Sequence, residues 1–286
     1  MGKAAASVVK RSSPVVPVSL PLLIALLACV GAEKPTPDST DSAPSMLCGE
    51  NYCEGELCWA HLCGGSFSMG DDAQEPDEAP AHTVTLADFD VLLTEVTVAQ
   101  YARCVEVGAC VDRADPDEVP IRCNWGREGR ELHPMNCVNH AMAADYCAFV
   151  GATLLSEAQW EYAARSGGQP RTYPWGEAPP SCALAALAQE GACGADGTWP
   201  VCSFPAGDTD QGLCDMAGNV FEWTLDVYHD DYTGAPTDGS AWVDPPGQFT
   251  VMRGGGINSD EDVRTGNRTF HEPDFFYSGM GFRCAR

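Results

Sequence analysis

Fifteen cysteines in 286 residues constrain this chain more than any other feature. Fourteen of them lie between Cys48 and Cys284. Such a density is typical of proteins that mature in an oxidising compartment, where cysteines pair as disulfides. The remaining one, Cys29, stands apart near the N-terminus, and without it the count is even and allows seven disulfides. We therefore expect an exported fold that is held together by disulfides.

The N-terminus predicts how the chain is exported. Three basic residues precede an apolar run over residues 21–28, as in a secretory signal. Leu26-Leu27-Ala28-Cys29 resembles the lipobox of bacterial lipoproteins, in which the cysteine is lipidated after cleavage. We expect residues 1–28 to be a signal peptide and Cys29 to be the lipid anchor of a cell-envelope protein, a bacterial outer-membrane lipoprotein. Ordinary secretion is the alternative. Residues 29–47 are rich in Pro, Ser, Thr and Asp and predict a flexible linker.

Charge and motif content exclude several classes of function. After residue 28 the chain carries 13 basic and 41 acidic side chains, a net charge of −28. A field of that sign repels phosphate backbones, so we expect no nucleic-acid partner. The six histidines contain no His-x3-His pair of a zinc site, and the chain contains no Gly-x-Ser-x-Gly elbow of a hydrolase.

Four cysteines with a five-residue period precede the main domain: Cys48, Cys53, Cys58 and Cys63. This period differs from the Cys-x2-Cys spacing of zinc ribbons, so disulfides are favoured over a metal. We expect residues 48–63 to be a small disulfide-bonded cap and residues 64–286 to be the main domain. Within that domain, Cys104 and Cys110 are close enough in sequence to pair.

Period-two alternation and Gly-punctuated apolar runs predict short strands. They fall at residues 64–70, 82–89, 220–223, 251–256 and 279–284.

Capping signals predict where the helices begin. Thr97 with Gln100, and Ser156 with Gln159, form capping boxes ahead of apolar helical patterns. A further helix is expected over residues 139–149. A few helices, many short strands and long loops predict an irregular α+β domain with little regular secondary structure.

One loop, residues 212–224, combines oxygen ligands with a glycine. Its Asp215, Gly218, Val220 and Glu222 offer two carboxylates and two backbone carbonyls at relative positions 0, 3, 5 and 7. Calcium takes oxygen ligands of this kind, and a glycine allows the sharp turn that directs carbonyls inward. The alternative is a turn capped by Asp215 with a solvated Glu222.

Eight segments together, in order, resemble the formylglycine-generating enzyme, or sulfatase-modifying factor, family. They are residues 65–70, 95–97, 144–147, 154–165, 173–176, 212–224, 253–255 and 281–284. The resemblance covers about residues 64–286. It implies an irregular, loop-rich fold related to the C-type lectins, a calcium site at Asp215, Gly218, Val220 and Glu222, and a disulfide between Cys147 and Cys284.

Two other features of the family are absent from the sequence. Its second calcium site has no convincing ligand set, because Ala183 and Leu184 stand where an Asn is expected after Trp175-Gly176. Its second disulfide would need cysteines where Ala164 and Thr269 stand. Both partners of that bridge are missing together, which is expected for a lost disulfide.

The resemblance also implies a copper chemistry that this chain lacks the residues to perform. Active members use oxygen and Cu(I), held by two cysteine thiolates, to convert a cysteine of a sulfatase into formylglycine. Counted from Arg253, those two positions hold Ser259 and Arg264. A hydroxyl is a poor ligand of Cu(I) and a guanidinium is no ligand, so the sequence argues against copper as a cofactor.

Three hypotheses follow. The first, which we favour, is a lipid-anchored, non-catalytic module that binds a peptide, protein or glycan in the cell envelope. The second is an enzyme: either an oxidoreductase of the formylglycine-generating type or a diverged enzyme that uses Ser259, Arg264 and nearby Arg268 in the same cleft. The third is a purely structural envelope protein.

Overall fold

The structure is a computed structural model, and it describes residues 48–112, 122–188, 193, 197–259 and 263–286. The predicted signal peptide, Cys29 and the linker up to residue 47 lie outside the described residues. The described chain forms one compact unit.

Three α-helices begin where the capping signals predict. They are α1 (Val98–Glu106), α2 (His140–Phe149) and α3 (Glu157–Ala164). Both capping boxes are formed, since the Thr97 and Ser156 side chains each accept a hydrogen bond from the third residue of their helix. The α2 helix begins after Asn139, whose side chain accepts from Met142 N.

Within the part of the chain that the structure describes there are also eleven short strands. They are β1 (Asn51–Glu54), β2 (Leu57–Leu62), β3 (Ser66–Met69), β4 (His82–Thr85), β5 (Phe89–Leu92), β6 (Thr153–Leu154), β7 (Phe221–Val227), β8 (Thr250–Arg253), β9 (Thr269–His271), β10 (Met280–Gly281) and β11 (Cys284–Ala285). They form a five-stranded sheet in the order β1-β2-β5-β11-β6, a four-stranded sheet in the order β10-β7-β8-β9, and the β3–β4 pair.

The cysteine-rich segment 48–63 is part of the main fold rather than a separate cap. Its hairpin places Cys53 opposite Cys58, and β2 then pairs antiparallel with β5. Trp59 and Ala60 of β2 are fully buried although they point to opposite faces of the sheet, because each face is covered by one of the two core clusters. The boundary predicted at residue 64 therefore falls inside the domain.

The single strand predicted over residues 82–89 is divided between two sheets. Its first part is β4, which pairs with β3, and Phe89 begins β5 in the five-stranded sheet. The break occurs where Leu86 N donates to Gly65 O and Asp88 accepts from Gly64 N. Alternation alone does not reveal a change of sheet. The predicted strand over residues 279–284 is likewise divided, into β10 and β11.

The core consists mainly of two clusters of buried side chains. One packs α1 and α2 around Trp59, Trp223 and Phe282. The other packs α3, which contributes Trp160, against Phe67. The four-stranded sheet carries the segments of interest at its strand ends, because the loop over residues 212–220 leads into β7 and residues 254–268 connect β8 to β9. Among the described residues, none of the helices has the length and apolarity needed to cross a bilayer.

Candidate functional site

Ser259, at the first position where the resemblance implies a copper cysteine, is bonded within its own turn. Its backbone N–H donates to Gly256 O at 2.8 Å, and its Oγ accepts a hydrogen bond from Gly256 N at 3.1 Å. Only 9% of the residue is exposed. The hydroxyl therefore stabilises the turn after β8.

Arg264, at the second of these positions, forms an ion pair with a buried carboxylate. Its Nη1 and Nη2 donate to Glu78 Oε2 and Oε1 at 2.9 and 2.6 Å. Glu78 ends a short 3-10 helix, Pro76–Glu78, and is fully buried. This two-pronged arrangement is the strong form of an arginine–carboxylate pair. A cationic side chain held in this way repels a metal ion and does not ligate one.

All fourteen cysteines from Cys48 onward are paired. The disulfides are Cys48–Cys63, Cys53–Cys58, Cys104–Cys110, Cys123–Cys137, Cys147–Cys284, Cys182–Cys193 and Cys202–Cys214. The structure thus contains the pairing of Cys147 with Cys284 that the resemblance implies, and it joins α2 to β11. Since the rest of the sequence holds only Cys29, residues 48–286 retain no thiol.

Beneath the segment that carries Ser259 and Arg264, arginines and glutamates alternate in a chain of ion pairs. Arg253 is fully buried and donates to Glu161 Oε2, and its Nη1 lies 3.8 Å from Glu157 Oε1. Arg268 Nε donates to Glu157 Oε1 at 2.7 Å, and Arg165 Nε donates to Glu161 Oε1 at 2.9 Å. Three guanidiniums therefore share two carboxylates along this chain.

A polar cavity of about 300 Å³ opens next to these ion pairs. Three arginines line it: Arg165 from the C-terminal end of α3, Arg171 from the following loop, and Arg264. Asp71 and Glu177 also line it. The structure thus places Arg264, one of the two copper positions, in the wall of a cavity that Arg165 and Arg171 also line.

The loop that predicts calcium binding has the backbone turns that this prediction needs. Asp215 has φ of 55° and Gly218 has φ of 84°. A Cβ at Gly218 would lie 2.4 Å from Ala186 O, so a glycine is required there. Asp215 is buried, and its Oδ2 accepts a hydrogen bond from Cys202 N at 2.7 Å.

Glu222 has a role that the sequence does not reveal. Its carboxylate accepts hydrogen bonds from Arg283 Nη2 at 2.6 Å, from Arg283 Nε at 2.8–2.9 Å and from Trp160 Nε1 at 2.7 Å. Three N–H groups thus use most of the roughly four lone-pair directions that a carboxylate offers. A cation at Glu222 would share the carboxylate with Arg283.

The charges around this loop favour a cation. Glu95, Asp215 and Glu222 are buried near one guanidinium, that of Arg283. Burial, reinforced by the negative charges of Asp215 and Glu222, raises the pKa of Glu95 well above its usual range. Burial also raises the pKa of Asp215 to about 6. Buried negative charge without a counter-ion is costly, and carboxylate oxygens such as those of Asp215 and Glu222 are the ligands that calcium takes. The donor set of this loop therefore fits a calcium ion in its chemistry.

Comparison with known proteins decides the family. A model of the sulfatase-modifying factor enzyme 1-like domain matches residues 59–286. The chain belongs to this family.

Two relatives of this sulfatase-modifying-factor domain match over most of their own length. The formylglycine-generating enzyme of Mycobacterium tuberculosis is 32% identical, and the match covers 78% of this chain and 95% of the relative. The solved structure of PvdO from Pseudomonas aeruginosa gives a TM-score of 0.73 at 30% identity, with 85% of this chain and 99% of that chain covered. The fold is therefore the irregular, loop-rich α+β fold of the sulfatase-modifying factors, related to the C-type lectins.

A third relative contains the sulfatase-modifying-factor domain as only part of a longer protein. The serine/threonine-protein kinase Pkn1 of Chlamydia trachomatis is 34% identical over 236 residues, which cover 78% of this chain. The chain spans only 37% of that relative's length. The match therefore concerns this domain and not the whole of that kinase.

Sequence reasoning placed Ser259 and Arg264 in the sulfatase-modifying-factor site but did not predict their partners. Glu78 lies 186 residues from Arg264, and no local pattern links the two. One sequence signal was available: after Lys34 every basic residue is an arginine. Arginine is preferred over lysine for buried, two-pronged ion pairs, so this bias indicates a buried arginine–carboxylate network.

Proposed function

We propose that this sulfatase-modifying-factor domain is a non-catalytic binding module of the cell envelope, with a peptide, protein or glycan as its ligand. The observation that carries the proposal is the state of the two copper positions. The Ser259 hydroxyl is bonded within its turn, and the Arg264 guanidinium is paired with buried Glu78.

Copper chemistry at this site would need thiolates that the domain lacks. Cu(I) is a soft ion that prefers sulfur, whereas an alcohol oxygen binds it weakly and a guanidinium repels it. The disulfides hold every cysteine from Cys48 to Cys284. The disulfide between α2 and β11 is present while neither copper position offers a thiolate, a combination that favours binding without oxidation.

Calcium is part of the same proposal. The ion would be held by the carboxylates of Asp215 and Glu222 and by the backbone carbonyls of Gly218 and Val220. When bound, it would supply the positive charge that Arg283 alone does not provide for three buried carboxylates. Its expected role is structural, because the loop leads directly into β7 at Phe221.

Attachment to the membrane through Cys29 also belongs to the proposal, and its support comes from the lipobox-like residues 26–29. In a bacterial host fed with an isotopically labelled fatty acid, the chain should carry the label and sediment with membranes. The Cys29→Ala variant should lose the label and appear in the soluble fraction. Secretion of an unlabelled wild-type chain would overturn this part of the proposal.

Oxidation of a target peptide tests the absence of catalysis. The purified protein is incubated with copper, oxygen, a thiol reductant and a peptide that contains Cys-x-Pro-x-Arg, and the peptide mass is followed. The formylglycine-generating enzyme of Mycobacterium tuberculosis serves as the positive control. We expect the peptide cysteine to remain unchanged with this chain. Catalytic conversion of that cysteine to formylglycine would refute the proposal and restore the oxidoreductase alternative.

A further inference from the structure

The cavity beside Arg264 has a composition at odds with the charge of the whole protein. After residue 28, acidic side chains outnumber basic ones by 41 to 13. Yet this one cavity is lined by three arginines: Arg165, Arg171 and Arg264. A strongly acidic chain thus concentrates three guanidiniums around about 300 Å³ of polar space.

The positive groups of the cavity are more deeply placed than its negative groups. The side chains of Arg165, Arg264 and Arg171 are only 11, 15 and 21% exposed. Glu177 is exposed and Asp71 is half-buried. Each of these arginines is also held by a carboxylate outside the lining; the pairs are Arg165–Glu161, Arg171–Asp210 and Arg264–Glu78. The guanidiniums are therefore fixed in position at the cavity wall.

The two acidic side chains are also occupied by neighbours of their own. Glu177 accepts from Thr172 N at 3.0 Å and from Thr172 Oγ1 at 2.6 Å. Asp71 Oδ1 accepts from Ala73 N at 2.9 Å. These bonds hold the two carboxylates within their own loops.

Arg165 is the last residue in the series of alternating ion pairs that runs from Arg268 through Arg253. It shares Glu161 with Arg253, so one carboxylate serves two guanidiniums there. Gly266 lets these groups come together at the cavity wall, since a Cβ at that position would lie 2.9 Å from Glu78 Oε2 and 3.4 Å from Arg165 Nη2. This end of the series therefore carries positive charge that its own carboxylates only partly balance.

We propose that this cavity binds a small ligand through an oxyanion, a carboxylate, sulfate or phosphate group. The planar fork of arginine matches such groups in geometry as well as in charge. A cavity of about 300 Å³ is at the lower end of the range for small-molecule sites, which suits a single sugar acid or a similar polar molecule. This inference rests on the proposed function, since it names the ligand class of a binding module.

Titration of the full chain with small anions tests the proposal. Sodium sulfate, inorganic phosphate and sodium glucuronate are titrated separately by calorimetry at constant ionic strength set with chloride. The three arms distinguish which oxyanion the cavity prefers. We expect saturable binding, one molecule per chain, of at least one of the three anions.

Two variants localise the binding, and a third provides the matched control. Arg171→Gln removes the ion pair with the exposed Asp210 and hydrogen bonds to Ser166, Gln169 and Pro174, whereas Arg165→Gln leaves Glu161 paired with Arg253. Neither variant leaves a fully buried carboxylate without a partner, so both should fold. Each should weaken binding at least about tenfold, because each removes a charge-assisted contact. Arg103→Gln changes the same charge on the exposed face of α1 and should leave the affinity unchanged.

Absence of saturable binding for all three anions would overturn the proposal, as would equal affinities in the Arg171→Gln and Arg103→Gln variants. Neither result bears on the peptide oxidation assay, which needs no anion. Conversely, formation of formylglycine would refute the non-catalytic function and leave the anion titration intact. The two proposals therefore fail separately.

Discussion

Arg264 holds both carboxylate oxygens of Glu78, at 2.9 and 2.6 Å, across 186 residues of sequence. The position at which the family resemblance implies a metal thiolate thus holds a cation that fastens a neighbouring loop. Through this pair, the connection between β8 and β9 is tied to the 3-10 helix over Pro76–Glu78. The replacement at residue 264 is a structural contact in its own right and not merely the loss of a ligand.

Breaking this pair from one side should be costly. Arg264→Gln leaves the Glu78 carboxylate buried without its partner, and we expect a loss of roughly 2–4 kcal/mol in the free energy of unfolding. The double variant Glu78→Gln/Arg264→Gln should recover much of this loss, since no buried charge remains. Urea denaturation measures both, with Arg103→Gln as an exposed control. If Arg264→Gln were as stable as that control, the pair would have no structural role.

The calcium loop can be tested at Asp215 without disturbing the backbone. Asn tolerates the φ of 55° at this position and can still accept the hydrogen bond from Cys202 N, so Asp215→Asn removes little except a negative charge. We expect calcium to raise the melting temperature of the wild type and to raise that of the variant much less. Asp145→Asn, on the exposed face of α2, is the matched control. An equal calcium response in Asp215→Asn and in this control would exclude the loop as the binding site.

Glu222 is less suitable for such a test, because it has two roles. Its carboxylate neutralises the fully buried Arg283, so Glu222→Gln should destabilise the fold in chelator as well as in calcium. A melting-temperature loss that appeared only in the presence of calcium would contradict the Arg283 pairing.

Asp226 should make the stability of the fold depend on pH. Burial, and then the charge of Glu157, raises its pKa from the usual 3.8 to about 7. The folded chain therefore binds this proton more tightly than the unfolded chain, and the resulting stability is present at low pH and lost as the pH rises through that window. Wild type should lose more unfolding free energy than Asp226→Asn between about pH 4 and about pH 8. Equal losses would show that Asp226 does not hold a proton in the folded state.

The disulfide between Cys147 and Cys284 should dominate the covalent stabilisation. It spans 137 residues, whereas Cys53–Cys58 spans only 5. By loop entropy the first is worth about 5 kcal/mol and the second about 2 kcal/mol. Replacing each pair by alanine and comparing unfolding free energies checks the order. A larger loss from the short hairpin disulfide would contradict it.

How far the sequence predicts the structure depends on whether the determining contacts are local. The capping boxes at Thr97 and Ser156 form as predicted because each is closed within four residues. The strand predicted over residues 82–89 is divided because Thr85 and Phe89 pair with different sheets, which alternation does not encode. The hairpin that contains Cys53 and Cys58 was expected to stand apart, but it pairs with β5.

The candidate site shows the same limit. Ser259 and Arg264 follow from counting along the chain, and their chemistry follows from their side chains alone. Their partners do not, since the separation between Arg264 and Glu78, like that between Glu222 and Arg283, is a matter of tertiary packing. The sequence does not predict the arginine-lined cavity, because no sequence motif connects Arg165 and Arg171 with Arg264.

Copper binding tests the central claim most directly. The folded, oxidised chain and its Cys29→Ser variant are titrated anaerobically with Cu(I) against a competing chelator, and X-ray absorption at the copper edge identifies the ligands. We predict that the variant retains no stoichiometric copper and shows no copper–sulfur scattering. One equivalent of Cu(I) bound through sulfur in the Cys29→Ser variant would contradict the account.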